Sequence, residues 1–363
     1  MLINTTLESY GYDSSLDVSR DYRTFYIIAA FYSFVCLITI LGNVATIYAY
    51  YKERSLREKP SDLLVLNLSV ADLGIGLLCM PFIISNHICN CWLTKEIGCR
   101  IWVILCDTFV FGGVATVIAI SFDRFLLVHR EYSSYLRIQN KSRIKVTIIL
   151  CWLFSVIPNI LDHSLWEYAK TLPNARVVDF RYNCLSPSRE IFIVTLIISV
   201  IGSFIPLAII SSLSFSFICL LRVRLKKHRQ VNIAIKPILN ASEQVNMQRD
   251  SRSRDNKVGR SSTENNDTIR LTKVSSTNHY TKPAMTFISL IAAMGVCSLP
   301  YLLYMLTSFF CSQCYDPIVR GRLVSLVFFN SFLNPCMYAI TQSKIRKFYL
   351  LKFRQLWRTM KPT

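Results

Sequence analysis

Charged side chains are scarce in this sequence. They make up 17% of its 363 residues, whereas 52% are hydrophobic and the mean hydropathy is +0.36. A soluble domain rarely has so apolar an average, so lipid rather than water is indicated as the solvent around much of the chain. Seven apolar blocks reach the roughly 20 residues that a membrane-crossing helix needs. They lie near residues 25–51, 62–86, 100–128, 143–161, 190–221, 283–310 and 321–341.

Other absences narrow the class of protein. None of the blocks alternates strictly between apolar and polar residues, which favours helices over the strands of a membrane barrel. Residues 1–22 contain no apolar core of the kind that a signal peptide has. The blocks hold no His, and apart from Asp62 and Glu190 at the first positions of two blocks their acidic residues are the scattered Asp72, Asp107 and Asp123. We therefore predict an all-α membrane protein, a seven-transmembrane helix bundle with no metal site and no enzymatic activity.

The net charge of +19 is unevenly distributed. With the N-terminus outside and the connections on alternate sides, the inside segments hold 30 Lys or Arg and 9 Asp or Glu, against 9 and 10 outside. This asymmetry follows the positive-inside rule. The basic residues flank spans and lack interleaved aromatics, so they indicate anionic membrane lipid as a partner, and no nucleic acid. The inside segments are 52–62, 129–145, 222–282 and 342–363, and the outside ones are 1–24, 86–98, 162–190 and 311–322.

Three regions follow from this topology. Residues 1–24 form an extracellular N-terminus with a glycosylation sequon at Asn4. Residues 25–341 form the seven-transmembrane domain, including a polar cytosolic loop at about 227–281 that is predicted to be disordered. Residues 342–363 form a cytosolic tail, in which apolar and basic side chains alternate as in a short amphipathic helix lying in the inner membrane interface.

Six of the spans each contain a distinct short motif. Span 1 carries "LGNVATIYAY", span 2 "LNLSVADLGIG", span 3 ends in "DRF", span 4 contains "CWLFSVIP", span 6 "CSLPY" and span 7 "NSFLNPCMYAI". This set resembles the rhodopsin-like (class A) family of G-protein-coupled receptors over residues 25–357, and looks most like its amine branch, near muscarinic and histamine receptors. The resemblance implies a multi-pass plasma-membrane receptor. Its partners would be an extracellular small-molecule or peptide ligand, a heterotrimeric G-protein, arrestin and receptor kinases.

The resemblance assigns G-protein coupling and activation to the inner ends of spans 3 and 7. Asp123 and Arg124 resemble the family's acid-Arg pair, in which the carboxylate holds the guanidinium while the receptor rests. A charge pair at the membrane edge is a plausible bistable element. Asn334, Pro335 and Tyr338 match the family's NPxxY motif, and Pro335 is expected to kink span 7.

A second polar set resembles the family's sodium-and-water pocket. Its residues are Asp72, Asn43, Asn330, Ser331 and Asn334. Oxygen ligands around a single carboxylate suit a hard cation, so an allosteric sodium ion is the only cofactor that the resemblance implies. Gly113 stands where many members offer Ser, which removes one ligand.

Cysteines fall into two groups. Those within the spans are interpreted as small apolar fillers: Cys36, Cys79, Cys106, Cys151, Cys219, Cys297 and Cys336. The others lie on the outer side, where disulfides persist. The family joins the cysteine that starts the third helix, here Cys99, to one in the second outer loop, here Cys184, and this bridge pins the loop over the pocket. Cys311 and Cys314 are a second candidate pair, closing a small outer loop.

The family's ligand pocket lies among the outer halves of spans 3, 5, 6 and 7. Candidate lining residues are Asp107, Cys106, Tyr301, Met305, Phe328 and Trp166. The amine branch pairs the ligand's ammonium with an Asp at the position that is Cys106 here. Asp107 is the next residue, but one helical step turns it by about 100°. Phe328 also replaces a Tyr that often caps the amine, so a biogenic amine and another ligand both stay open.

Three alternatives remain. The chain is alternatively a peptide-binding or constitutively active orphan receptor. Ser298 replaces the Trp that usually responds to ligand in span 6, which predicts either Tyr301 as a substitute switch or unusual basal activity. A light sensor needs a Lys in span 7, and residues 317–341 contain none. A transporter or channel would show paired charges along a pore or inverted repeats, and neither is visible.

Overall fold

A computed structural model describes most of the chain. The described residues are 22–89, 92–130, 132–171, 180, 184, 194, 197–198, 200–227, 230, 264–311, 314 and 317–360. This part of the chain contains seven helices long and apolar enough to cross a membrane, and no strand. The prediction of an all-α, seven-span bundle is therefore confirmed. Asn4, Ser312 to Gln313 and most of the polar loop after residue 227 lie outside the described residues.

The seven spans follow one another along the chain. Spans 1, 3, 4, 6 and 7 are Tyr22–Lys52, Lys95–His129, Lys141–Ser164, Glu264–Phe310 and Pro317–Thr341. Span 2 consists of Asp62–Gly74, a π-helical turn at Ile75–Cys79, and Met80–Cys89. Span 5 includes a π-helical turn at Val200–Phe204 and continues to residue 227. Shorter helices are Arg54–Arg57, Tyr132–Ile138 and Trp166–Lys170, and the C-terminal helix is Ser343–Met360.

Apolar side chains from several spans meet at the centre of the bundle. Leu68 of span 2 and Val117 of span 3 belong to one buried cluster with Phe217 of span 5 and Phe287 of span 6. The last two rings pack edge to face with centroids 5.1 Å apart. On the outside, large apolar residues of span 4 such as Ile149 are exposed, as a lipid-facing surface requires.

Both π-helical turns end two residues before a proline, Pro81 in span 2 and Pro206 in span 5. Proline has no N–H to donate, and its ring clashes with the carbonyl group four residues earlier. A wider turn relieves this clash and shifts the helical phase of the residues beyond it. In span 5 the turn also brings Gly202 against Phe111, since a Cβ on this glycine would lie 2.3 Å from the ring.

The sixth helix starts earlier than the sequence predicts. Its first residue is Glu264, within the loop 227–281 for which disorder is predicted. Extending an existing helix costs far less than nucleating a new one, and residues 264–282 contain neither Gly nor Pro. The apolar span thus provides the nucleus from which a polar segment continues as helix.

Candidate functional site

The inner end of span 3 holds a buried carboxylate. Asp123 is fully buried, and its Oδ1 accepts hydrogen bonds from the Tyr135 hydroxyl at 2.9 Å and from Nε2 of Gln139 at 3.0 Å. Tyr135 lies in the short helix Tyr132–Ile138, and Gln139 directly follows it. Burial, followed by the nearby Asp123 carboxylate, raises the pKa of Tyr135, so the phenol stays protonated and donates. The second inner loop thus holds Asp123 in place.

Arg124 has a looser contact with the same carboxylate. Its Nε lies 3.6 Å from Oδ2 of Asp123, and this oxygen accepts no hydrogen bond within the described residues. The long distance follows from the helix, where adjacent residues do not face each other. The guanidinium is therefore held mainly by charge, with no directed hydrogen bond to break when it moves.

Tyr135 and Gln139 were not predicted as site residues. They follow Asp123 by 12 and 16 residues along the chain. No local sequence pattern predicts that the second inner loop folds back onto the end of span 3. A Tyr and a Gln in a basic loop carried no sequence signal that separates them from ordinary surface residues.

The middle of the bundle contains the second predicted set. Nδ2 of Asn334 donates to Oδ2 of the buried Asp72 at 2.8 Å, which links span 7 to span 2. Nδ2 of Asn43 donates to the Ser331 carbonyl at 3.2 Å and so adds span 1. Within the described part of the chain, the buried Oδ1 atoms of Asn43 and Asn330 accept no hydrogen bond. The hydrogen bonds thus connect Asn334 with Asp72 and Asn43 with Ser331.

Tyr338 is a buried residue with a polar group in the inner half of span 7. It is 0% exposed and packs in an apolar cluster with Val65, Leu290 and Ile345. Its hydroxyl has no hydrogen-bond partner among the described residues. An unsatisfied buried hydroxyl costs about 1–3 kcal/mol, and an arrangement in which Tyr338 finds a partner recovers this cost.

Span 7 also approaches span 1 closely at its proline. A Cβ on Gly42 would lie 2.8 Å from both Cβ and Cγ of Pro335. Only glycine fits at this position unless the two helices separate. The contact positions Pro335 and the polar residues beside it.

Two disulfides lie on the outer side of the part of the chain that the structure describes. Cys99 is bonded to Cys184, and Cys311 to Cys314. Trp166 is buried beside the first of these bridges, and its Nε1 donates to Glu96 at 3.0 Å. Trp166 therefore lies at the outer junction of spans 3 and 4, in a different cluster from Cys106 and Phe328.

Cys106 is not a simple apolar filler, because it forms a disulfide with Cys79 of span 2. Both residues are buried in an apolar cluster with Phe328 of span 7. Cys79 is the last residue of the π-helical turn, whose extra residue per turn changes the direction in which Cys79 points. The interpretation of Cys79 and Cys106 as small apolar fillers is therefore wrong. Asp107 is half-buried one position further on.

Tyr301 and Met305, the remaining pocket candidates, are half-buried in the outer half of span 6. Of the six candidates, the structure packs only Cys106 and Phe328 in one cluster.

Seven membrane-spanning helices with a clamped acid-Arg pair at the inner end of the third define a helical membrane receptor architecture rather than an enzyme. The family profile described as "7 transmembrane receptor (rhodopsin family)" matches residues 42–338. The chain belongs to this family and is a multi-pass protein of the plasma membrane.

Individual relatives agree with this family. An alpha-2 adrenergic receptor of Labrus ossifagus is 28% identical over 48% of this chain and 40% of its own length. A G0-coupled rhodopsin of Mizuhopecten yessoensis is 34% identical over 40% of this chain and 34% of its own. The 5-hydroxytryptamine receptor 7 of Xenopus laevis is 26% identical over 88% of this chain and 75% of its own. The chain thus spans two fifths or less of the first two relatives and three quarters of the third.

Proposed function

We propose that the chain is a receptor that transmits the binding of an extracellular ligand to nucleotide exchange on a heterotrimeric G-protein. The observation that carries this proposal is the buried Asp123–Arg124 pair, held by Tyr135 and Gln139 at the cytosolic edge of span 3. Releasing Arg124 from its long contact with Asp123 presents a positive charge to a cytosolic partner. The buried, unpaired hydroxyl of Tyr338 supports the same two-state element from span 7.

The test is G-protein dissociation in cells across all Gα classes, with and without a panel of biogenic amines and peptides. We expect Arg124→Ala to abolish both basal and stimulated dissociation at normal surface expression. Arg130→Ala serves as a matched control, because it removes an exposed charge from the cytosolic end of the same span. Unchanged signalling in Arg124→Ala would contradict the proposal. An ion current or substrate flux without any coupling would favour the transporter or channel alternative.

We further propose that the ligand is a small molecule that is not held by an ammonium–carboxylate pair at the position of Cys106. This sulfur is committed to the bond with Cys79 and lies in an apolar cluster with Phe328, where a cation would be poorly solvated. Neutral or apolar ligand groups fit that surface better. We expect the monoamine panel to leave the receptor inactive. Activation by an amine, together with its loss in Asp107→Asn, would overturn this and assign the ammonium to Asp107.

Constitutive activity is the second candidate, favoured by Ser298 in place of a large side chain in span 6. It predicts ligand-independent dissociation that Ser298→Trp lowers. Equal basal signalling in both proteins would exclude it.

We also propose an allosteric sodium ion at Asp72. The oxygens of Asn43, Asn330 and Ser331 fit a hard cation, and the two unpaired Oδ1 atoms supply acceptors without donors. When bound, the ion would neutralise the buried carboxylate. We expect the purified protein to melt at a higher temperature in sodium chloride than in choline chloride of equal concentration, and Asp72→Asn to remove the difference. Equal shifts in both proteins would contradict the site.

Arrestin and receptor kinases are proposed as further partners, since the polar loop 227–281 is rich in Ser in basic surroundings. Arrestin recruitment after activation, measured with and without Ala substitution of Ser251, Ser253, Ser261 and Ser262, tests this directly. Recruitment that these substitutions leave unchanged would contradict it.

A further inference from the structure

The inner end of span 1 and the C-terminal helix form a tight junction. The Tyr349 hydroxyl lies 2.6 Å from the Thr46 hydroxyl and donates to the Gly42 carbonyl at 3.2 Å. Phe348 is buried and packs on Tyr48, with ring centroids 5.6 Å apart. Burial raises the pKa of Tyr349, so its phenol remains a donor. These contacts fix the C-terminal helix against span 1.

Two lysines converge on one aromatic ring at this junction. Nζ of Lys52, the last residue of span 1, lies 5.7 Å from the Tyr48 ring centroid. Nζ of Lys352, in the C-terminal helix, lies 5.7 Å from the same centroid. The two ammonium groups are therefore separated by at most twice this distance. A tyrosine ring attracts a cation by its negative face, which offsets part of the repulsion between them.

Among the residues that the structure describes, neither ammonium group forms an ion pair. The ion pairs of the described residues involve other side chains, and none reaches Lys52 or Lys352. The fold thus brings two ammonium groups to one ring, with neither of them in an ion pair within the described part of the chain. Such a pair is stabilised by an external anion that contacts both.

The position of the Tyr48 ring on the lipid-facing surface indicates that the anion belongs to a membrane lipid. Tyr48 is 41% exposed and continues the exposed apolar surface of span 1 that includes Leu41 and Val44. This surface faces the acyl chains, whereas lysines at the end of a span extend into the headgroup region. The cytoplasmic leaflet is rich in anionic lipids, and its negative surface potential increases the affinity of each basic residue for the membrane surface.

We propose that Tyr48, Lys52 and Lys352 bind the anionic headgroup of an inner-leaflet phospholipid. The two ammonium groups contact its phosphate and carboxylate or additional phosphate oxygens, and the acyl chains lie along Leu41 and Val44. Because the lipid contacts both elements, it holds the C-terminal helix on span 1. This site does not depend on what the outer pocket binds.

The test is native mass spectrometry of the full chain in detergent, titrated with phosphatidylserine or phosphatidylcholine. We expect Lys52→Gln/Lys352→Gln to weaken phosphatidylserine binding by about tenfold or more, since each lysine contributes several-fold. Phosphatidylcholine binding stays unchanged. The pair Lys347→Gln/Arg354→Gln is the matched control, because it removes two exposed charges from the same helix. It should keep wild-type phosphatidylserine binding.

Several outcomes would overturn the site. Equal loss in both double variants would show a general effect of charge, and no loss in the lysine pair would remove the site itself. Displacement of phosphatidylserine by an equal concentration of inorganic phosphate would show a free-anion site instead. Lys52→Arg/Lys352→Arg keeps both charges and should keep binding, which separates a lost site from a misfolded junction.

Discussion

Removing the Tyr135 hydroxyl should raise basal signalling. Tyr135→Phe deletes the 2.9 Å hydrogen bond to a fully buried carboxylate, together with the contact between the same hydroxyl and Ser61. A hydrogen bond to a charged group is worth about 1.5–3 kcal/mol. Gln139 still donates to the same oxygen at 3.0 Å, so the lower end of this range applies. A loss of about 1.5 kcal/mol shifts a two-state equilibrium roughly tenfold, for example from about 1% to about 10% active.

The assay is ligand-free G-protein dissociation, normalised to surface expression. Tyr51→Phe is a matched control, because it removes a hydroxyl from an exposed ring at the inner end of span 1. Gln139→Ala should have an effect of similar size, and the double variant should exceed either single one. If Tyr135→Phe signals at the wild-type level or below it, the hydrogen bonds from Tyr135 and Gln139 to Asp123 do not stabilise the resting arrangement.

Two further predictions concern stability. Gly42→Ala should lower the melting temperature of the purified protein, because its Cβ would lie 2.8 Å from Pro335 and overpacking costs about 1–3 kcal/mol. Gly295→Ala should not lower it, because nothing lies within 4 Å of a Cβ at that position. Equal melting temperatures for the two variants would contradict the close contact. Cys106→Ser should also lower the melting temperature, since the bond to Cys79 spans a sequence separation of 27 and closing such a loop adds about 3 kcal/mol to the free energy of unfolding. A free thiol at Cys79 in the wild-type protein, found by alkylation and mass spectrometry, would exclude the bridge.

The number of spans was predictable because the signal is local. In lipid each span must satisfy its own backbone hydrogen bonds, so an apolar block of sufficient length forms a helix wherever it occurs. The predicted blocks 62–86 and 321–341 accordingly fall within helical segments of the structure. The early start of the sixth helix at Glu264 was not predictable in this way, because helix propagation from a span does not require apolar residues.

The candidate site was predictable where a motif names the residue. Asp123, Arg124, Asp72 and Asn334 were identified from their sequence surroundings, and the structure places Asn334 on Asp72. Their other partners were not, because a hydrogen bond from Tyr135 depends on how the second inner loop folds under span 3.

The sequence by itself determined the number of spans, their orientation and the family. Hydropathy determines which segments enter the bilayer, and the placement of basic residues determines which side of the bilayer each connection takes. Both properties depend only on the order of residues along the chain. Only the tertiary structure decided which side chains meet, as in the Cys79–Cys106 bond and the two lysines at Tyr48. The physical reason is that lipid is equally apolar on every side of a helix. Rotation and contact are therefore set by packing, hydrogen bonds and π-helical turns between helices.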